Sequence, residues 1–388
     1  MWLGVFTTFL AFSFVFPFLP IFIGRDLHVA ARSVPLWSGI VGGAAGAALA
    51  VTSPLWGMAA DRWGRKGMLL RAMISGCILV ALMGFSQNVY ELAAIRFLQG
   101  GLTGIVAAAT ALVAAETPRP RVGWALGVLS SGIASGTAIG PFIGGLIGAA
   151  FGMRRTCIAA GVLLLLATIP VIVMVRERPL RNASEPSPPA IALLRSHPGA
   201  VRAVAVLVLI QGLIAFGYNS TQQLVVIRLL RLAPTNVATL TGIAFGLSGL
   251  AAAAAGIAYG RVAGRKGYRW TAIAGGLGFS ASILVMAIAP SWTVVVGMMG
   301  VFGFLYGSLS PTASSMLGLE APRAIQARVF GIGASSLAVG SSIGPISCGA
   351  IASATNPTIG LIVAASSALV IAGLMLTVGR EPGTPALS

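Results

Sequence analysis

The chain is 388 residues long, 57% of them hydrophobic and 9% charged, with a mean hydropathy of +0.94. A soluble domain keeps about half its residues apolar and about a quarter charged, so this composition excludes an ordinary globular enzyme and points to a membrane protein. The net charge of +17 does not signal nucleic acid, because the basic residues are divided among short loops, as retention of those loops on one side of a bilayer requires.

Charge-free runs at 1–24, 33–60, 72–90, 97–115, 122–153, 156–175, 203–227 and 232–260 each predict one crossing, which takes about 20 helical residues. The runs at 270–319 and 329–379 are long enough for two crossings each, divided at Ala289-Pro290-Ser291 and Thr355-Asn356-Pro357. The sum is twelve α-helices, since the runs lack the alternation of barrel strands. With the first span starting inside, most of the 25 Lys and Arg residues fall in inner loops, which places both termini in the cytoplasm. The first run has neither a basic leader nor a small-residue cleavage site and reads as a span, not a cleaved signal. Cys77, Cys157 and Cys348 lie in apolar runs with no metal-ligand spacing and read as packing residues.

The second half repeats the first. The tetrapeptide GRKG stands at 64–67 and at 264–267, ETPR at 116–119 returns as EAPR at 320–323, and GTAIGPFIGG at 136–145 returns as GSSIGPISCG at 340–349. Six spans followed by six keep both halves in one orientation, as in parallel repeats related by an axis along the membrane normal. The expected domains are a bundle at 1–175, a cytoplasmic linker at 176–202 containing RNASEPSPPA, and a bundle at 203–388. Spans two, five, eight and eleven are rich in small residues, which allow close helix approach in lipid, and are expected to join the halves. The sixth, with GVLLLLATIPVIVMV, is expected to face lipid.

Four local patterns stand out. Gly57, Asp61, Arg62, Gly64, Arg65 and Lys66 form a loop in which Gly64 permits a tight turn and Asp61 can accept charge-assisted hydrogen bonds. Arg96 and Gln99 lie inside the fourth span, on one helical face with Thr103, Ala107 and Thr110. An arginine there is either functional or an outer-end side chain snorkelling to the interface near Glu91. Gly136, Gly140, Pro141, Gly144 and Gly145 in span five, echoed by Gly344 and Pro345, form a glycine ladder with a proline that permits bending. Span one carries Leu10, Ala11, Pro17 and Pro20.

Together these patterns resemble the major facilitator superfamily, in particular its twelve-span drug:proton antiporter branch. The resemblance implies an all-α fold of two pseudo-symmetric six-helix bundles, a gating role for the Asp61 loop as a latch between halves, and an antiporter signature in the span-five motif. It also implies a monomer in the bacterial cytoplasmic membrane, exporting a small-molecule substrate against protons, with no cofactor and no enzymatic activity. The duplicated GRKG reads as one hinge loop, complete in the first half and reduced in the second.

Candidate cavity residues are Phe14 and Phe16 from span one, Arg96 and Gln99, then Gln211, Tyr218, Asn219 and Gln222 from span seven, and Tyr306 from span ten. Aromatics, amides and one arginine suit amphiphilic or anionic organic molecules, although the same polar groups can serve as interhelical glue. None of the eight acidic residues falls mid-span, so the proton site is open, with Asp61 or Glu91 as candidates. A transporter of one metabolite, in either direction, remains the rival reading.

Overall fold

The computed structural model describes residues 1–118, 121–175, 198–321 and 326–377. Within them, twelve helices are long and apolar enough to cross a membrane. The first comprises Trp2–Ser13, a 3-10 turn at Phe16–Phe18 and Leu19–Arg25, and the second runs Val34–Trp63. Then come Arg65–Met83, a fourth span in two pieces, Val89–Leu102 and Ile105–Glu116, Val122–Phe151 and Met153–Met174. The second half runs Pro198–Leu232, Val237–Lys266, Tyr268–Ile288, Trp292–Glu320, Gln326–Ala354 and Pro357–Thr377. The expected linker falls at 176–197 outside the described residues, and helix already begins at Pro198.

The main pairings inside the halves are alike. Span one lies on five, two on four and three on six, and likewise seven lies on eleven, eight on ten and nine on twelve. The halves meet through span two against eleven and span five against eight, the four spans whose small residues predict close approach. Val162, Leu165, Leu166, Ile169 and Val173 of span six are exposed, an apolar face that lipid covers.

Two expectations change. The GRKG copies are not structural counterparts. The turn after span two is made by Gly64, with φ 91° and ψ 149°, but span eight stays helical through Lys266 and its turn is made by Gly267, with φ 85° and ψ 153°. Such backbone is open only to glycine, and it is Gly267, not Gly264, that occupies it. The fourth span is not one helix either: Thr103 is extended and Gly104 has φ −142° and ψ 41°. The stripe from Arg96 to Thr110 is therefore cut at Thr103.

Candidate functional site

The two seams between halves are built alike. In the part of the molecule away from the start of span one, here the far end, glycines of one half sit on backbone of the other. A Cβ on Gly242 would lie 2.7 Å from the Pro141 carbonyl oxygen, and one on Gly39 would run into the Pro345 carbonyl. On Gly145 it would lie 2.8 Å from the Ala238 oxygen, on Gly249 2.5 Å from the Ala138 Cα. Each seam thus seats a proline carbonyl on a glycine. Arg25 donates to the Pro234 carbonyl and Ser353 to the Arg32 carbonyl, strapping the far end. At the near end spans five, eight and eleven stand clear of their neighbours: a Cβ on Gly123, Gly127, Gly256 or Gly331 meets nothing within 4 Å.

Along the seam of spans two and eleven opens a cavity of about 530 Å³, lined by Phe9 and Phe12 of span one, Leu49 and Ser53 of span two, Thr103 to Ala107 of span four, and Gly331, Ala334, Ser335 and Ala338 of span eleven. The glycine ladder does other work. Gly136, Gly140 and Gly144 seat the first span, a Cβ there reaching Phe6 O, Ser13 Cβ and Phe14 Cα at 2.5, 2.5 and 2.6 Å. Gly344 does the same for span seven, 2.7 Å from the Phe216 oxygen.

Arg96 is buried. Its Nε donates to the Val41 carbonyl at 3.1 Å and its Nη1 to Gln99 Oε1 at 2.6 Å, and the guanidinium lies 4.3 Å from the Phe16 ring centroid. It does not snorkel. Eight residues separate Val41 from the cavity-lining Leu49, so Arg96 sits about 12 Å deeper toward the closed end. Glu91 caps its own helix, accepting from the Gln87 backbone N–H at 2.8 Å and Asn88 Nδ2 at 2.7 Å; exposed and so engaged, it is no partner for Arg96. Phe14 is buried in the core with its backbone on Gly144, because the span-one prolines start new helical segments at Phe16 and Leu19 and turn Phe16, not Phe14, toward Arg96.

In the second half Tyr218 stacks on Tyr306 at 3.8 Å and on Phe302 at 5.5 Å between centroids, and Phe302 stacks on Phe279 at 4.7 Å. Asn219 donates to the Ala215 carbonyl of its own helix at 2.9 Å, and Gln211 to Ser314 Oγ at 3.3 Å. None of these, nor Arg96 or Gln99, lines the 530 Å³ cavity. Arg65 donates to the Ala111 carbonyl at 3.2 Å and Lys66 to the Ile172 carbonyl at 3.0 Å, both within the first bundle. The side chains of Asp61 and Arg62, and the surroundings of Gly57, lie outside the described residues.

Sequence reasoning missed the groups that make the fourth-span break tolerable. Breaking a helix in lipid frees carbonyls that need donors. Trp56 Nε1 donates to Gly101 O at 2.6 Å, and Ser75 Oγ, whose single proton is shared with Arg71 O at 2.8 Å, lies 3.2 Å from Leu102 O. A tryptophan and a serine in apolar runs look like packing; only the Gly100, Gly101 and Gly104 cluster hints at a weak point.

At the far end Asp26 is half-buried. Burial lifts its carboxyl above the ordinary value, while Arg154, His28 and Arg25 pull the other way. Arg154 itself bridges loops, donating to Gly84 O at 3.1 Å, Ser86 O at 2.8 Å and Asp26 O at 3.4 Å.

The sequence matches the Major Facilitator Superfamily over residues 1–238 and 233–388. It is 30% identical, over 89% of this chain and 85% of the other, to Multidrug resistance protein MdtG of Dickeya zeae (strain Ech586). The fold is similar to the nucleoside transporter NupG, with a TM-score of 0.78 at 14% identity covering 98% of each chain. It is equally similar, at 0.78, to a bacterial homologue of the human lysosomal transporter Spinster in an inward-facing and occupied conformation, at 16% identity over 99% of this chain and 97% of that one. Paired bundles, glycine seams and the family match over the whole length make this chain a member of the Major Facilitator Superfamily, a multi-pass membrane transporter and not an enzyme.

Proposed function

We propose that the protein exports small amphiphilic or anionic organic molecules from a bacterial cell through the cytoplasmic membrane, by alternating access with proton antiport. The observation that carries this reading is the unequal fit of the span-two and span-eleven seam along its length: backbone on glycine at the far end, a 530 Å³ cavity at the near end. If the basic loops keep the near end in the cytoplasm, this is the state that takes a molecule from the cell interior. Two bundles, 1–175 and 203–388, then rock about the seams, and the Asp61 loop latches the reverse state. Similarity to multidrug resistance proteins supports outward transport of drug-like molecules. Arg96, Gln99 and the Tyr218–Tyr306 stack form the deeper part of the binding path, reached as the bundles move. A proton released or taken up at Asp61 or at the far-end Asp26 drives the cycle.

The test is accumulation of a dye panel, anionic, neutral and cationic, in cells lacking their own exporters. Expression should lower the accumulation of at least one compound; raised accumulation would mean import, and no change for any compound would remove the reading. In energised vesicles a transported compound should dissipate the pH gradient, and a gradient left intact would exclude proton coupling.

A further inference from the structure

Behind the broken fourth span lies a second chamber of about 330 Å³, lined by Leu49, Ser53 and Trp56 of span two, Met68 and Arg71 of span three, and Gly104 to Ala111 of span four, with Arg65 at its edge. It shares Leu49, Ser53, Gly104 and Ala107 with the central cavity, so the two adjoin at the break. Arg71 lies flat on the Trp56 indole, 3.3 Å from the ring centroid, and its Nε and Nη1 are buried with no acceptor. The indole is itself fixed by its bond to Gly101 O.

This is not how a spare arginine rests near a membrane surface. Arg71 is on the second turn of its helix, within reach of the interface by snorkelling. Instead the side chain is half-buried against Trp56, with Nε and Nη1 in the covered part, where an ionised group without a partner is costly. Stacking holds the guanidinium by its face and leaves its edge donors for a planar anion. The chamber wall around it is apolar apart from the Ser53 hydroxyl and Arg65, and no carboxylate is among the described residues that line it.

We infer that Arg71 on its Trp56 platform recognises the carboxylate, sulfonate or phosphate group of an amphiphile whose apolar body extends past Gly104 into the central cavity. The anion comes either from a transported molecule or from a lipid headgroup. The inference deepens the transport reading and rests on it for the source of the ligand, so it is tested by equilibrium binding, which does not require transport.

The full chain in phosphatidylcholine nanodiscs is titrated calorimetrically with 2-naphthalenesulfonate and with uncharged 2-naphthol. Arg71→Gln should weaken the sulfonate about tenfold or more, as loss of a charged hydrogen bond does, and change 2-naphthol less than twofold; Arg71→Lys should recover part of the loss. Gly104→Leu provides a second variant that leaves Arg71 in place. A Cβ there meets nothing within 4 Å, so the side chain fills the passage, and it too should abolish sulfonate binding. Phosphatidylglycerol added to the discs distinguishes the sources: if it displaces the sulfonate from the wild type, the occupant is a headgroup, and if not, a transported anion. Sulfonate binding unchanged in both Arg71→Gln and Gly104→Leu would overturn the inference. Should Arg71→Gln not fold, unchanged binding in Gly104→Leu alone would do so.

Discussion

The two halves share three main pairings, one on five, two on four and three on six. Among the described residues span seven also packs on span ten, whereas span one does not pack on span four, and only the first half is broken. Span one is interrupted between Ser13 and Leu19 and span four at Thr103–Gly104, whereas their counterparts, Pro198–Leu232 and Trp292–Glu320, run through as single helices. Proline alone does not explain this, since Pro311 lies inside the unbroken tenth span and no proline is present at the fourth-span break. What differs is the supply of donors. The first half brings Trp56 to the freed Gly101 carbonyl and Ser75 within reach of Leu102 O, and near that backbone it keeps the buried Arg96 and the half-buried Arg71. The second half offers stacked aromatic rings on straight helices. Both halves carry stacked rings, Phe12 on Phe16 in the first and Tyr218 on Tyr306 in the second, and the difference lies in the backbone that carries them.

The largest effect should come from the feature the halves share. Gly39→Leu and Gly242→Leu each drive a side chain into a proline carbonyl, and overpacking of about 1–3 kcal/mol shifts a two-state balance about ten- to a hundredfold. Both should lower the disulfide yield of an Arg32→Cys, Ser353→Cys pair alike; a large difference between them would break the equivalence of the seams. Next in size is Arg96→Lys. A point charge cannot span Val41 O and Gln99 Oε1 as the guanidinium does, so transport should fall about tenfold or more, while Tyr306→Phe, which retains the stack, should lie within about twofold. Efflux rates of the two variants side by side check the contrast.

Trp56→Phe leaves Gly101 O without its donor and should cost about 1 kcal/mol, seen as a lower melting temperature. The equivalent cut in the tenth span has no freed carbonyl to expose. The smallest effect is at Asp26. Because burial raises its folded pKa, the protonated form favours the fold, and the stability this contributes is lost as pH rises through the raised value. Asp26→Asn should flatten that acidic-side slope in a melting series, and an identical slope in both proteins would place the carboxyl in ordinary solvent.

The twelve spans, their internal repeat and the small-residue seam were legible because lipid imposes length, apolarity and close approach on sequence directly. The positions where carbonyls count were not. GRKG is written twice, but the turn follows the backbone angle, and that angle sits at Gly64 in one copy and at Gly267 in the other. The fourth-span break depends on a tryptophan 45 residues away in sequence, which no local pattern records. Arg71 adjoins the basic loop and so reads as loop charge, although its guanidinium lies over the Trp56 ring. Gly39 is one glycine among 51 until a carbonyl of the other half is found on it.

Consecutive glycines of the fifth span face different neighbours: Gly144 rests on Phe14 of the first span, Gly145 on Ala238 and Gly242 of the eighth. That helix therefore serves two bundles from adjacent residues. In the proposed rocking cycle, a shift of the eighth span on Gly145 would reach, one residue over, the broken part of the first span and so the Phe16 ring above Arg96, through glycine contacts alone.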